Sequence, residues 1–250
     1  MKRALITGAS SGIGRATAEA LAGAGADLIL LARRIDRLES IKADLEKRFR
    51  VKVTVAALDV QKPAAIDAFV EKHRELLKTT DVLVNNAGLA KGTDKMMDAK
   101  IGDWDAMIDT NVKGLLYITR AVLPFMMEAK AGHIVNLGSV AGRWVYPGGA
   151  VYCASKFAVR ALSEGLRLDL LGTPMRVTNI EPGMVETEFS EVRMQDRERA
   201  KHVYKGMNPL TGADIADTIL WCLQRPAHVN IQELVIFPTD QAAIQAVHRR

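Results

Sequence analysis

Short apolar runs alternate with longer segments of helical spacing along almost the whole chain, and this alternation restricts the fold more than any other feature. The apolar runs are Ala4–Thr7, Asp27–Ala32, Val51–Ala57, Val82–Asn85, His133–Leu137, Arg176–Ile180 and Glu233–Phe237. The helical segments are Gly12–Ala24, Ile35–Phe49, Ala64–Leu77, Asp103–Met127, Ala150–Leu171 and Ala213–Leu223. Continuously apolar runs indicate strands that are buried on both faces, as in a parallel sheet covered by helices. The pattern therefore predicts an α/β fold with a doubly wound parallel sheet.

The length and composition favour one domain over residues 1–250. The chain has 250 residues, of which 48% are hydrophobic and 25% are charged, as in an ordinary globular enzyme. Pro124 interrupts the longest helical segment and predicts a kink or break near Leu123. The one irregular stretch, at about residues 182–211, contains a polar, charged helix between prolines and glycines. Because loops after the carboxyl ends of strands line the ligand crevice, we expect this stretch to be a substrate lid.

The charge pattern and the cysteines exclude several classes of protein. The net charge is +5, but basic residues are interleaved with acidic ones, so no basic stripe for nucleic acid is evident. Cys153 and Cys222 lie far apart, as expected in a reducing compartment, and the histidines have no metal-ligand spacing. The apolar run at the start of the chain is too short for a signal peptide, and no apolar stretch is long enough to span a membrane. We therefore expect a cytoplasmic protein without a metal.

A glycine-rich loop, Thr7–Gly14, connects the first strand to the first helix. Gly8 would permit a tight turn, Gly12 a close approach of the backbone to a pyrophosphate, and Gly14 close packing of the helix. The N-terminus of the helix would offer N–H groups to the phosphates. The order Gly-x-x-x-Gly-x-Gly differs from the usual dinucleotide fingerprint, but its place after the first strand favours a cofactor loop over a structural turn. The other cofactor-binding residues predicted here are Ser10, Ser11 and Ile13.

Two arginines stand where the second predicted strand ends. An NAD site usually has an acidic residue here to bind the ribose hydroxyls, but the chain has Arg33 and Arg34. Guanidinium groups suit a 2′-phosphate, to which they form charge-assisted and often bidentate hydrogen bonds. Although the arginines could instead be solvated at a helix start, the pattern favours NADP(H).

Small and amide residues follow the third and fourth predicted strands. They would allow the backbone to approach an adenosine, although either group could also form a plain turn. The candidate residues are Asp59, Val60, Asn86, Ala87 and Gly88.

Tyr152 and Lys156 are spaced to share one face of a helix, about 6 Å apart. At that separation an ammonium is expected to lower the pKa of the tyrosine by about three units, towards neutrality. Such a tyrosine is a competent general acid or base. Ser139 and Asn111 precede the pair and could cap a turn or bond to the backbone, although the glycine loop makes a shared catalytic site the better interpretation.

The order of these motifs resembles the short-chain dehydrogenase/reductase family over essentially the whole chain. The segments that carry the resemblance are Thr7–Gly14, Asn85–Gly88, Asn111, Ser139, Tyr152–Lys156 and Glu181–Gly183. The resemblance implies a single Rossmann-type sheet of seven strands in the order 3-2-1-4-5-6-7, with helices on both faces. It also implies cofactor contacts from Pro182, Gly183, Val185 and Thr187, the last with the nicotinamide carboxamide.

The family resemblance assigns a role to each of the four polar residues. Tyr152 would exchange a proton with the substrate oxygen, and Ser139 would orient that oxygen. Lys156 would lower the pKa of the tyrosine and bind the nicotinamide ribose. Asn111 would hold a water that links Lys156 to solvent.

Segments near the end of the chain are similar to one branch of the family, the NADP-dependent 3-hydroxy acid dehydrogenases. They are Val185–Arg193, Arg225–Ile231 and Ile236–Gln241. This similarity implies substrates such as serine, allo-threonine or 3-hydroxypropionate, whose carboxylate needs a cation. Arg143 and Arg193 are the candidates, and a bidentate clamp is the hypothesis, although either could be solvated.

Two other functions remain open at this point. One is a broad NADPH-dependent reductase of aldehydes, ketones or pterin side chains, and the other is a non-catalytic NADP-sensing protein. An intact Tyr/Lys pair argues against the sensor. Relatives are commonly homotetramers, and the apolar run Ala242–Val247 could pack on a neighbouring subunit.

Overall fold

The computed structural model describes residues 1–130 and 132–250, and it confirms the doubly wound α/β fold. The strands form one seven-stranded sheet in the order β3-β2-β1-β4-β5-β6-β7, as the family resemblance implies. Every neighbouring pair in this sheet is parallel. The strands are β1 (Arg3–Thr7), β2 (Asp27–Ala32), β3 (Val53–Ala57), β4 (Val82–Asn85), β5 (Gly132–Leu137), β6 (Met175–Pro182) and β7 (Glu233–Ile236).

Helices cover both faces of the sheet, and each face has its own hydrophobic core. The helices are α1 (Gly12–Gly23), α2 (Ile35–Arg48), α3 (Pro63–Leu77), α4 (Ile101–Ile108), α5 (Leu115–Glu128), α6 (Ala150–Asp169), α7 (Phe189–Met194), α8 (Arg197–Val203) and α9 (Gly212–Leu223). Ile6 of β1 joins the cluster with α1, α2 and α9, whereas its neighbour Leu5 joins the cluster with α3 and α5. The continuous apolar runs thus arise from strands that bury alternate side chains in two different cores.

The long helical segment predicted before β5 is interrupted, but not at the predicted place. A break near Leu123 is wrong, because α5 continues through Pro124. The irregularity lies earlier, in a π-helical segment, Asp109–Gly114, between α4 and α5. Asn111 in this segment forms hydrogen bonds to other elements, and π-helical turns of this kind often occur at functional sites.

The stretch predicted to be a lid contains two short helices, α7 and α8, rather than one. Gln195 ends α7 in the left-handed conformation, with a φ of 52°. The Asp196 carboxylate then accepts hydrogen bonds from the backbone N–H groups of Glu198 and Arg199, at 2.9 and 3.1 Å, and so begins α8. This reversal makes a compact unit between the end of β6 and the start of α9.

Candidate active site

The glycine loop between β1 and α1 has the geometry that a close ligand requires. Gly8 and Gly12 have φ values of +65° and +53°, a region that other residues rarely adopt. A Cβ at Gly14 would lie 2.5 Å from the Gly8 carbonyl oxygen, so the helix packs too closely on the loop for any side chain there. The Ser11 side chain makes no capping hydrogen bond to α1. The first N–H groups of α1 therefore suit an anionic ligand.

A cleft of about 550 Å³ lies beside this loop, at the carboxyl ends of the strands. Most of the residues predicted to form the site line it. They are Gly8, Ser10, Ser11, Gly12, Ile13, Arg33, Arg34, Asp59, Val60, Asn86, Ala87, Gly88, Ser139, Tyr152, Lys156, Pro182, Gly183, Val185, Thr187 and Arg193. Three predicted residues, Gly14, Asn111 and Arg143, are not part of the lining.

At one end of the cleft, Arg34 joins two serine hydroxyls of the glycine loop. Its guanidinium donates to Ser10 Oγ from Nε and Nη2, at 3.2 and 3.0 Å, and to Ser11 Oγ from Nη2, at 2.8 Å. Arg33 is exposed beside it. Hydroxyl and guanidinium donors converge here, a donor set that matches a phosphate monoester.

At the other end, Ser139, Tyr152 and Lys156 come together. Tyr152 and Lys156 lie on one face of α6, and the Lys156 Nζ is 5.9 Å from the centroid of the tyrosine ring. Ser139 follows β5, and its hydroxyl lies close enough to the phenol of Tyr152 to offset part of the pKa rise that burial causes there. The Lys156 ammonium donates to the Leu137 carbonyl oxygen at 2.7 Å.

The predicted lowering of the pKa of Tyr152 is wrong for this structure. Burial raises the pKa of Tyr152, and the nearby Tyr146 raises it further, while the Ser139 hydrogen bond and the charge of Arg193 lower it less. Burial also lowers the pKa of Lys156 to about 8. Since the ammonium is directed at a backbone carbonyl, desolvation of the phenol outweighs its attraction. Tyr152 is therefore protonated at neutral pH, and it is a proton donor in this state.

Asn111 stands behind the cleft and fixes the loop after β4. Its amide donates to the Leu89 carbonyl oxygen and accepts from the Leu89 N–H, both at 2.8 Å, and it also donates to Ser155 Oγ at 3.0 Å. A Cβ at Gly88 would lie 3.3 Å from Asn111 Oδ1 and 3.6 Å from Lys156 Nζ. Asn111 is thus next to Lys156, and its water-holding role stays a prediction.

Arg193 enters the cleft from α7, between two tyrosine rings. Its guanidinium carbon is 5.2 Å from the centroid of the Tyr146 ring and 5.8 Å from that of Tyr152. Burial raises the pKa of Tyr146 and the charge of the guanidinium offsets part of that rise, while the buried Nε of Arg193 has no hydrogen-bond partner among the described residues. The Gly92 N–H donates to the Arg193 carbonyl oxygen at 3.0 Å, which ties α7 to the loop after β4. Arg193 lines the cleft, and a guanidinium in this position suits an anionic ligand.

Sequence reasoning missed three residues of this site: Tyr146, Glu188 and Phe189. Tyr146 lies in the loop between Ser139 and Tyr152, a position that could have suggested a contact. The ring of Phe189 is 5.7 Å from that of Tyr152. No spacing rule would have found Phe189 or Glu188, because their contacts depend on where α7 begins.

The structure does not bring Arg143, the other candidate for a substrate carboxylate, to the cleft. Its guanidinium forms ion pairs with Glu181 on β6 and Glu233 on β7. Glu181 is fully buried, and Arg160 of α6 also pairs with Glu233, at 3.0 Å. Arg143 therefore joins the turn after Ser139 to the last two strands of the sheet.

Replacing Arg143 with methionine is expected to lower the free energy of unfolding by about 2 kcal/mol, because the buried Glu181 carboxylate loses its ion pair and keeps only the hydrogen bond from the Asn179 amide. Urea unfolding of the two proteins measures this difference. The KM for a hydroxy acid should stay within about twofold, since a charge-assisted contact to substrate would cost far more. A large rise in KM at unchanged stability would restore Arg143 as the substrate clamp.

The model of the short chain dehydrogenase family matches residues 2–198 of the chain. The chain belongs to the short-chain dehydrogenase family. It is therefore an oxidoreductase, and its fold and loop geometry agree with this membership.

Similar proteins act on small hydroxy acids and on a sulfonated aldehyde. The chain is 47% identical over 240 residues to sulfoacetaldehyde reductase 2 of Chromohalobacter salexigens, covering 95% of this chain and 94% of the relative. It is 45% identical over 251 residues to the NADP-dependent 3-hydroxy acid dehydrogenase of Schizosaccharomyces pombe, covering 100% and 97%. The closed form of a serine dehydrogenase complexed with NADP⁺ superimposes with a TM-score of 0.93, at 43% identity, covering 99% of this chain and 100% of that one.

Two findings limit other kinds of site within residues 1–130 and 132–250. None of the helices there is long and apolar enough to cross a membrane. In the same ranges, no group of His, Cys, Asp and Glu side chains is arranged to hold a metal ion.

Proposed function

We propose that this protein is an NADP-dependent oxidoreductase that reversibly transfers hydride at the 3-hydroxyl carbon of a small 3-hydroxy acid. Serine, allo-threonine and 3-hydroxypropionate are the substrate types. The observation that carries the proposal is one cleft with two arginines and two serine hydroxyls at one end and, at the other, the Tyr152 phenol beside the Arg193 guanidinium, whose Nε has no hydrogen-bond partner among the described residues. The names of the relatives agree with both halves of it.

The described residues fit NADP(H). The Arg33/Arg34 pair with Ser10 would hold the 2′-phosphate, and the start of α1 would hold the pyrophosphate. Lys156 and Thr187 would bind the nicotinamide end, which is consistent with their places in the cleft. When bound, the nicotinamide donates or accepts the hydride.

The proton moves through Tyr152. In reduction, the protonated phenol donates to the substrate carbonyl oxygen, which Ser139 also orients by a hydrogen bond. In oxidation, the ionised phenol accepts the hydroxyl proton. The 3-oxo acid that forms can lose carbon dioxide spontaneously. Lys156, still largely charged at neutral pH, stabilises the phenolate that appears in each cycle.

The anionic group of the substrate would bind Arg193. The Arg193 guanidinium and the Tyr146 hydroxyl belong to residues that line the cleft with Tyr152, and together they would offer donors to a carboxylate. A sulfonate presents similar oxygens, and one relative is a sulfoacetaldehyde reductase, so a sulfonated aldehyde is the second candidate substrate. The Arg193 guanidinium favours both over the neutral aldehydes and ketones of a broad carbonyl reductase.

Initial rates with NADP and NAD against serine, allo-threonine, 3-hydroxypropionate and simple alcohols test this function, with sulfoacetaldehyde for the reductive direction. NADP should be preferred over NAD by about 2 kcal/mol, roughly 30-fold in kcat/KM, from its charge-assisted contacts with the arginines. Equal efficiency with NAD would contradict the cofactor assignment. Faster turnover of neutral carbonyls would identify the broad reductase, and NADPH binding without any turnover would identify the sensor.

We also propose one domain over residues 1–250 with a lid at about residues 182–211, a cytoplasmic location and a homotetramer. Exposed apolar side chains on α5 and α6, among them Leu116, Phe157 and Leu168, support an interface on those helices. The C-terminal apolar run is a weaker candidate, because Ile244 packs within its own chain against the cluster that contains Tyr152.

A further inference from the structure

Three consecutive residues where α7 begins, Thr187, Glu188 and Phe189, contact three different parts of the cleft. Thr187 lies against the glycine loop, where a Cβ at Gly12 would be 3.2 Å from the threonine Cβ. Phe189 packs on the ring of Tyr152. Between them, Glu188 points across the cleft to the start of α2. This short segment thus contacts the glycine loop, the end of the cleft that contains Arg34, and Tyr152.

Glu188 forms two ion pairs with arginines at the start of α2, on the other side of the cleft. Its Oε2 is 2.9 Å from Arg34 Nη1, and its Oε1 is 2.5 Å from Arg37 Nη1. The three side chains are between 41% and 48% exposed, so the pairs lie at the solvent side of the cleft. Burial alone would raise the pKa of Glu188, but the hydrogen bonds and charges of the two arginines hold the pKa below its ordinary value. The carboxylate is therefore ionised at neutral pH.

The two arginines differ in their relation to the cleft. Arg34 and Glu188 both line it, whereas Arg37 is not part of the lining. A phosphate that engages Arg34 therefore leaves Arg37 available, and Glu188 keeps a partner on α2. The ion pair between Glu188 and Arg37 can therefore persist across the cleft while a cofactor is bound.

We propose that Glu188 is a strap that joins the lid to α2 across the dinucleotide cleft and slows the release of the bound cofactor. The proposal rests on the proposed NADP(H) function. Because the lid must leave α2 before the cofactor can leave, weakening the strap raises the dissociation rate of NADPH and NADH alike. This separates the strap from a charge effect on the 2′-phosphate, which only NADPH carries. Glu188 and Arg37 are positioning residues in this scheme, since they act through the lid.

Stopped-flow fluorescence measures the dissociation rate when bound NADPH or NADH is displaced by excess NADP⁺. Glu188→Gln is expected to raise this rate about fivefold for both cofactors, a size typical of exposed ion pairs acting together. Arg37→Gln should give a smaller rise with NADH, because Arg34 still holds Glu188, and nearly the full rise with NADPH, whose 2′-phosphate would engage Arg34. The double variant should be no faster than Glu188→Gln alone, because Glu188→Gln already removes the ion pair with Arg37. At about 1 M salt the wild type should approach the variant, since exposed pairs are screened.

Glu198→Gln is the matched control. It also removes one lid carboxylate, but Glu198 forms its ion pair with the exposed Lys201 on α8, at 2.7 Å, and not across the cleft, so the rate should be unchanged. An unchanged rate in Glu188→Gln, or additive effects in the double variant, would overturn the strap. Slower release of NADPH alone would show that Glu188 competes with the 2′-phosphate instead. Failure of the wild type to bind NADPH at equilibrium would count against the proposed function and not against the strap.

Discussion

Tyr152→Phe is expected to lower kcat by about 10³-fold, because it removes the group that transfers the proton. The change deletes only a hydroxyl. The aromatic ring that packs against Phe189, at 5.7 Å, and lies near Arg193 is retained, so the shape of the cleft should persist. The affinity for NADPH is therefore expected to change by less than about threefold, since a neutral hydrogen bond contributes little to binding.

Single-turnover kinetics and equilibrium NADPH fluorescence on the same preparation separate these two effects. Tyr146→Phe is the matched control, because it also removes one buried phenol hydroxyl beside Arg193. It should mainly raise KM for an acid and leave kcat within about tenfold, as expected for the loss of one binding contact. Turnover retained in Tyr152→Phe, or an equal loss in both variants, would remove Tyr152 from its assigned role.

Local rules predicted the fold well because its determinants are local. Strand β2 is a nearly continuous apolar run, and the glycine loop follows β1 directly. The spacing of Tyr152 and Lys156 likewise fixes their common face on α6, which the structure confirms. Boundaries differ by one or two residues at most of these elements, as expected where helix ends are set by capping and packing.

Properties that depend on distant residues could not be predicted. Arg143 pairs with Glu181 and Glu233, which lie on strands far along the chain. Nothing near the arginine in the sequence therefore distinguishes a structural ion pair from a substrate clamp. The pKa of Tyr152 depends on how completely α6 and α7 bury it, and burial is not visible in a four-residue spacing. The π-helical segment around Asn111 reflects its bonds to Leu89. In each case tertiary contacts outweighed the local pattern.

Arg193→Met is expected to lower kcat/KM for 3-hydroxypropionate by about 100-fold, whereas kcat/KM for a neutral alcohol should change by less than about threefold. Methionine keeps most of the apolar stem between the Tyr146 and Tyr152 rings but removes the charge. The acid then loses a charge-assisted pair in a buried position, whereas the alcohol loses only packing. Sulfoacetaldehyde should follow the acid, because its sulfonate would use the same donors.

The ratio of kcat/KM for the acid to kcat/KM for the alcohol is the decisive measurement, because damage to the lid that affects both substrates equally cancels in this ratio. Arg199→Met is the matched control: it removes an exposed lid arginine that is not part of the cleft lining, and both substrates should stay within about twofold of the wild type. Arg193→Lys should recover only part of the activity on the acid, because an ammonium supplies the charge without the planar pair of donors. Equal losses for the acid and the alcohol in Arg193→Met would mean that the Arg193 side chain shapes the lid through its contacts with the Tyr146 and Tyr152 rings and binds no anion.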